Sequence, residues 1–273
     1  MSRELDAAMA QVTKMYGAGA VLRMGESPFL DIKVIPTGLA GLDDALGIGG
    51  VPVGRIIEIF GREGVGKTTL GLHLMAAAQR DPSAGAVLYV DAEHALDVGY
   101  AATIGVDVGK MLVSQPDNGE QALEIVDICV RSGAMSLIVV DSVAALTPRS
   151  EIEGEMGDAS GGLQARLMSQ AMRKLTGAAA RNGTTVVFIN QVRDKIGMTF
   201  GNPETTPGGQ ALKFYSSARI SLHKRGLTKV GDGVVGQLVE LRVVKNKFAP
   251  PFRTTTLPLM FNKGFVDAEV TDA

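Results

Sequence analysis

Cysteine is almost absent from this sequence of 273 residues, which contains only Cys129. One thiol excludes an internal disulfide and a cysteine-based zinc cluster, and it suits a reducing compartment. The first residues, MSRELDAAMAQ, carry charges where a secretory leader requires an apolar core. No window approaches the ~18 consecutive apolar residues of a membrane span. We therefore expect a cytoplasmic protein that does not act on a membrane.

An excess of charge of either sign is also lacking, because 27 Lys and Arg against 29 Asp and Glu give a net charge of -2. This argues against binding of nucleic acid through overall positive charge. The near neutrality is nevertheless a cancellation: residues 91–165 contain thirteen acidic and three basic side chains, whereas residues 166–225 contain ten basic and two acidic ones. A charge run is commonly a solvated face. Within the basic segment, however, residues 191–210 show no helical or strand period, which is typical of a functional loop.

Short apolar runs recur from residue 34 onward and alternate with helix-length segments. Continuous apolar strands are what a parallel sheet covered on both faces requires, so we predict an α/β fold with a mostly parallel twisted sheet flanked by helices. The length suits one large domain with a small appendage. The predicted strands are 55–60, 87–90, 137–140 and 184–189, the predicted helices are 67–80, 119–132 and 162–182, and further antiparallel or mixed strands are expected at 218–223, 237–244 and 254–259.

An amphipathic helix is predicted at residues 4–16, where Leu5, Met9, Val12 and Tyr16 recur at helical spacing before a glycine-rich connection. Two interpretations of its apolar stripe are open. The helix lies across the core of its own chain, or it docks on another copy.

A phosphate-binding loop is predicted at residues 61–68, which read GREGVGKT and match G-x-x-x-x-G-K-[ST] between a predicted strand and a predicted helix. Glycines let backbone N–H groups turn toward phosphate oxygens, and the helix N-terminus adds its positive end. The Lys67 side chain reaches the β and γ phosphates, and the Thr68 hydroxyl can ligate Mg²⁺. The expected nucleotide contacts are Gly61, Arg62, Glu63, Gly64, Val65, Gly66, Lys67, Thr68 and Thr69.

Two carboxylates follow neighbouring apolar strands. Asp141 is placed to hold the metal ion together with Thr68, the alternative being that it caps a turn with Ser142. Glu93 is a candidate for activating water, because strands of such a sheet point their carboxyl ends toward the phosphates. From the pattern alone, a surface carboxylate explains Glu93 equally well. The adjacent His94 is more readily explained as a structural residue.

The sequence resembles the bacterial RecA recombinase family over residues 4 to 265. The resemblance is carried, in order, by GREGVGKTT, DAEHALD, SQPDNGEQALEI, IVVDSVAALTP, EIEGE, MSQAMRKL, FINQVR, FGNPETTPGGQALKFY and VVKNK. It implies a RecA-type ATPase core that uses ATP and Mg²⁺. It also implies that Glu93 activates water, that Gln191 senses the γ-phosphate, that Asp97 and Tyr100 flank the adenine, and that Phe261 occupies a nucleotide-flanking position often filled by Tyr.

By the same resemblance, two loops bind DNA, at about residues 153–164 and 193–208. Ile196 is the expected apolar wedge between bases. The tip of the first loop reads Ser160-Gly161-Gly162, where the family commonly has a bulky residue. The resemblance therefore leaves a second wedge open and places more of the strand separation on Ile196. The expected DNA contacts are Arg166, Arg173, Arg193, Lys195, Ile196, Gly197, Gly208 and Gly209.

The resemblance also implies a helical filament built from copies of this chain. Lys245 and Lys247 would reach the neighbour's γ-phosphate, although the pattern alone also fits solvent-facing strand lysines. Phe214 is an expected interface residue, and the stripe of Leu5, Met9 and Val12 becomes the arm that packs on the next subunit.

The organisation expected from the resemblance is an arm with a helix and a strand at 1–32, an ATPase core at 33–267 and a tail at 268–273. Because typical relatives continue with a small C-terminal domain, we expect a minimal form, of viral origin, or a truncated chain. The implied function is ATP-dependent pairing and strand exchange between single-stranded and double-stranded DNA, with repressor or mediator proteins as further partners. The alternatives are a filament scaffold for a partner protein, a ring helicase and a small-molecule kinase.

Overall fold

A computed structural model describes residues 2–18, 20–21, 32–81, 83–155, 162–194 and 204–267. The chain divides into two compact units, residues 1–33 and 34–273. Among the described helices, none combines the length and the apolar character needed to cross a membrane.

The first unit contains helix α1, Arg3–Tyr16. The Ser2 side chain caps its N-terminus by accepting a hydrogen bond from the backbone N–H of Leu5, and Lys14 lies in the last turn, where a cation suits the helix dipole. No residue of α1 is buried. Docking of its apolar stripe on another copy stays a prediction. Most of the arm after the helix, where a strand is also expected, lies outside the described residues.

The second unit alternates strands and helices along most of its length. The strands are β1 Val34–Ile35, β2 Val51–Pro52, β3 Ile56–Gly61, β4 Ala86–Asp91, β5 Met111–Ser114, β6 Met135–Asp141, β7 Thr185–Gln191, β8 Arg193–Asp194, β9 Glu204–Thr205, β10 Ala218–Val230, β11 Gly233–Asn246, β12 Thr254–Met260 and β13 Gly264–Phe265. The helices are α2 Ala40–Leu46, α3 Lys67–Gln79, α4 Val98–Ile104, α5 Gly119–Ser132, α6 Arg149–Ile152, α7 Leu163–Asn182 and α8 Ala211–Tyr215, with a 3₁₀ turn at Val143–Ala145.

Nine of these strands form one sheet in the order β13-β12-β11-β10-β3-β7-β6-β4-β5. The strand pairs β10–β3, β3–β7, β7–β6, β6–β4 and β4–β5 are parallel. The pairs β10–β11, β11–β12 and β12–β13 are antiparallel. The predicted mostly parallel sheet is therefore confirmed. Strands β10 and β11 extend beyond the predicted ranges, because their paired ends form a ribbon whose side chains are largely exposed and lack the apolar run used for the prediction.

The core lies on both faces of the sheet, which explains why its central strands are apolar at successive positions. Ile57 and Ile59 pack on the face that α3 covers, whereas Ile56 and Phe188 pack on the face covered by α5 and α7. Because the strands are parallel, their carboxyl ends meet at one edge of the sheet. In the register, Gly61 lies opposite Gln191, and Asp91 lies opposite Asp141.

Candidate nucleotide-binding site and neighbouring loops

The phosphate loop joins the end of β3 to the start of α3. Gly66 precedes α3 with φ +98°, and a Cβ at this position would lie 2.6 Å from the Leu259 side chain. Glycine is therefore required both for the backbone conformation and for the close approach. The Lys67 Nζ donates to the Arg62 carbonyl at 2.8 Å, so the lysine lies across the loop. Burial lowers the pKa of Lys67, and the nearby Asp141 and Glu93 carboxylates oppose this shift.

A buried glutamine from β11 holds the loop from the other side. The Gln237 Nε2 donates to the Gly64 carbonyl at 2.8 Å. This contact was not predicted from the sequence, where its only signal is a polar residue at the start of an apolar strand. The loop and this strand line a cleft of about 290 Å³, together with residues from α3, α4, β12 and the position directly after β12. The lining residues are Gly64, Gly66, Lys67, Thr68, Thr69, Tyr100, Gln237, Leu259 and Phe261.

Asp141 ends β6 at the base of the phosphate loop. Its Oδ2 accepts hydrogen bonds from the Thr68 hydroxyl at 2.6 Å and from the buried Tyr89 hydroxyl at 2.8 Å. Burial raises the pKa of Asp141, whereas the two donated hydrogen bonds oppose that rise. These partners favour the metal-binding interpretation over a turn cap, because a hydroxyl and a carboxylate in contact are oxygen ligands of the kind Mg²⁺ prefers.

The candidate site offers few protein ligands for a magnesium ion. Among the residues that the structure describes, no three His, Cys, Asp or Glu side chains are grouped to hold a metal ion. A site of one threonine and one aspartate fits Mg²⁺ bound with a nucleotide, since this ion commonly takes its remaining ligands from phosphates and water.

Glu93 lies close to Asp141 and receives two donors on one oxygen. Its Oε1 accepts from the Gln191 Nε2 at 3.0 Å and from the Ser142 hydroxyl. The segment carrying Glu93 is shaped by the buried Asp91, which accepts the backbone N–H groups of Ala95 and Leu96. Tertiary structure therefore brings Glu93 and Gln191 together. The contact of Ser142 with Glu93 was not predicted from the sequence, where its only signal is the place of Ser142 directly after Asp141.

The residues expected near the adenine lie at the start of α4. The Asp97 carboxylate caps this helix by accepting the N–H of Tyr100 at 2.9 Å, and it is not part of the cleft lining. The Tyr100 hydroxyl lies 3.3 Å from that of Thr69. The exposed His94 has φ +55°, and no contact with another described residue gives it a chemical role.

The residues expected to contact DNA are only partly described. Arg166 and Arg173 are exposed on α7, and Arg193 is exposed at the start of β8, two residues after the end of β7. Gly208 is buried and Gly209 half-buried where the second loop returns. The remaining expectations fall outside the described residues: Lys195, Ile196 and Gly197 in the second loop, and Ser160 and Gly161 at the tip of the first.

The predicted interface residues Lys245 and Phe214 are neighbours within one chain. The Lys245 Nζ donates to the carbonyls of Lys213 at 2.6 Å and Phe214 at 2.9 Å, so it satisfies the C-terminus of α8. Burial, followed by the charges of Lys247 and Arg219, lowers the pKa of Lys245. The Phe214 ring is 72% exposed, and Lys247 is exposed as well. Their contacts with a second copy stay a prediction.

The sheet order, the phosphate loop after a central strand and the carboxylates beside it define a P-loop nucleotide-binding protein of the α/β class. A sequence model of the RecA N-terminal domain matches residues 3–266. The chain therefore belongs to the RecA family, and the RecA-type core predicted from the sequence is confirmed.

Individual relatives agree with this assignment. Protein RecA of Bifidobacterium breve is 58% identical over 260 residues, which are 95% of this chain and 66% of that relative. Protein RecA of Syntrophus aciditrophicus (strain SB) is 58% identical over 98% of this chain and 78% of the relative, and Protein RecA of Thermus aquaticus is 59% identical over 96% and 77%. The chain thus spans just under two thirds of the Bifidobacterium relative.

Proposed function

We propose that this chain is a DNA-dependent ATPase that forms a helical filament on single-stranded DNA, pairs it with homologous duplex and exchanges strands. The observation that carries the proposal is the hydrogen bond between Glu93, in the nucleotide site, and Gln191, at the strand end that leads into the second loop. This bond connects the residue proposed to activate water with the strand that leads into the proposed DNA-binding loop. Membership of the RecA family supports the same activity.

In the proposed hydrolysis, Glu93 accepts a proton from the attacking water. Among the described residues, hydrogen bonds reach only its Oε1, from Ser142 and Gln191, which leaves Oε2 to take the proton. Lys67 contributes positive charge beside the phosphates. A magnesium ion, when bound through Thr68 and Asp141, would neutralise developing phosphate charge.

In the proposed coupling to DNA, Gln191 exchanges partners. The Gln191 amide donates a hydrogen bond to Glu93. When ATP is bound, an oxygen of its γ-phosphate would offer a competing acceptor. Such an exchange would shift the end of β7 and with it Arg193, the first residue of the second loop. The exposed guanidinium groups of Arg166, Arg173 and Arg193 would then contact DNA phosphates, so binding should weaken as salt rises.

ATP hydrolysis with and without single-stranded DNA tests the catalytic part of this proposal. We expect DNA to stimulate hydrolysis. We expect Glu93→Gln to lower kcat by at least about 10²-fold, the low end of the contribution of a positioned general base. Lys67→Ala should lower kcat by at least about 10²-fold as well, because it removes a charge that stabilises the transferring phosphate. Glu124→Gln is the matched control, because Glu124 is an exposed carboxylate on α5. Unchanged rates in both site variants would refute the assignment.

Strand exchange tests the wider function. Formation of a D-loop with ATP, and with a non-hydrolysable analogue, would support a recombinase. DNA-dependent hydrolysis without joint molecules would instead support a filament scaffold. Electron microscopy adds a separate criterion, since closed hexamers would indicate a ring helicase, whereas open helical filaments support the proposal.

A further inference from the structure

We propose that Asn190 is a positioning residue that ties the two ends of the second loop to one anchor. Asn190 lies in β7 directly before Gln191, and its amide reaches Pro207, where the chain returns from the loop. The inference rests on the proposed function only in one respect, namely that the second loop binds DNA. The mechanical link itself requires nothing beyond nucleotide binding.

The buried Asn190 side chain uses its donors and its acceptor at once. Its Nδ2 donates to the Glu58 Oε1 at 3.0 Å and to the Pro207 carbonyl at 3.2 Å, while its Oδ1 accepts the backbone N–H of Gln191 at 2.9 Å. Among uncharged side chains of this length, only asparagine offers two N–H donors and one carbonyl acceptor. The outgoing strand and the returning chain are therefore held by the same amide.

Glu58 fixes the orientation of that amide. An ionised carboxylate only accepts hydrogen bonds, so the NH₂ group of Asn190 must face it. Glu58 is fully buried in β3, and its Oε2 accepts from the Arg219 Nε at 2.5 Å. The Arg219 guanidinium in turn stacks over the Phe60 ring, 4.6 Å from its centroid. Because the buried charge is paired, Glu58 can serve as a rigid acceptor.

The returning chain has little freedom to move independently of this anchor. Gly208 follows Pro207 with φ +81°, and a Cβ at this position would lie 2.8 Å from the Val143 side chain and 3.2 Å from that of Met168. Val143 begins the 3₁₀ turn directly after Asp141 and Ser142, and Met168 lies in α7. A shift of Gln191 in the nucleotide site therefore reaches both the beginning of the loop and its packed return.

Hydrogen exchange measured on the intact chain, with and without Mg·AMP-PNP, tests this inference. We expect the nucleotide to slow exchange at residues 204–210 by about 10-fold, a modest change on the scale of local opening. In Asn190→Ala this difference should disappear, while affinity for Mg·AMP-PNP stays within about threefold, because Asn190 does not line the cleft. Asn118→Ala is the matched control. Asn118 caps α5 through the N–H of Gln121, so its loss lowers stability without touching the anchor.

Glu58→Gln provides a second variant if Asn190→Ala folds poorly. It keeps the volume but lets the amide of Asn190 turn, so at least half of the nucleotide-dependent difference should be lost. Its control is Glu240→Gln, which breaks the more exposed ion pair with Arg225 on the neighbouring strands. A nucleotide effect at 204–210 that persists in both anchor variants overturns the inference, as does its absence from the unaltered chain. If the nucleotide-dependent difference in exchange is lost only in Asn190→Ala and Glu58→Gln, the inference is supported. This holds even if the chain does not bind DNA, because that result would contradict only the proposed function.

Discussion

Replacing Tyr89 with phenylalanine should destabilise the protein through Asp141. The Tyr89 hydroxyl is buried and donates to the Asp141 Oδ2 at 2.8 Å, and the same oxygen accepts from Thr68 at 2.6 Å. Phenylalanine keeps the ring and therefore leaves no cavity. The change isolates one hydrogen bond to a buried carboxylate that belongs to the candidate metal site.

The magnitude follows from that geometry. A hydrogen bond to a charged group contributes about 1.5–3 kcal/mol. We expect the lower end, about 1.5 kcal/mol, because Thr68 still donates to the same oxygen of Asp141. For a chain of this size, such a loss corresponds to a fall in Tm of about 3–6 °C.

Urea unfolding without nucleotide, followed by far-UV circular dichroism because the chain has no tryptophan, measures the loss. Tyr215→Phe is the control, since the half-buried Tyr215 hydroxyl has no hydrogen-bond partner among the described residues. In an Asp141→Asn background, Tyr89→Phe should cost at least about 0.5 kcal/mol less, because the charge on the acceptor is gone. A Tyr89→Phe variant as stable as Tyr215→Phe would refute the reasoning.

Three further predictions concern His73 in α3, Gly66 in the phosphate loop and Ser142 beside Glu93. Burial lowers the pKa of His73 from 6.5 to about 4. As pH drops from 6.5 toward 4, the unfolded chain takes up a proton before the folded chain does, so the free energy of unfolding should fall, by about 2 kcal/mol at pH 5. In unfolding titrations, His73→Gln should remove this pH dependence. Gly66→Ala should weaken Mg·ATP binding at least about 10-fold and should lower stability by more than the ~1–2 kcal/mol of left-handed backbone strain. Gly105→Ala is the control that measures strain alone, because φ there is +101° and no atom lies within 4 Å of the added Cβ. Ser142→Ala should lower kcat about 10-fold with little change in KM, because Glu93 loses one orienting donor, and equal kcat values would contradict that role.

Local pattern was sufficient to predict most of the fold. Helix α5 was predicted at its observed bounds, because it begins after a capping Asn118 and ends before a left-handed Gly133. The strands β3, β4, β6 and β7 were predicted to within two residues at each end, because parallel strands covered on both faces are apolar throughout. The ribbon formed by β10 and β11 was predicted too short, since its exposed pairing leaves no apolar signature.

The sequence by itself determined the phosphate loop, because its glycines, lysine and threonine lie within eight residues and act through local backbone conformation. It also placed Asp141 and Glu93 after neighbouring strands. Only the tertiary structure decided which side chains support them. Gln237 reaches Gly64 across 173 residues of sequence, and Arg219 reaches Glu58 across 161. Such pairs depend on strand order and register, which are set by packing of the whole sheet, so neither partner carries a local signal of the other.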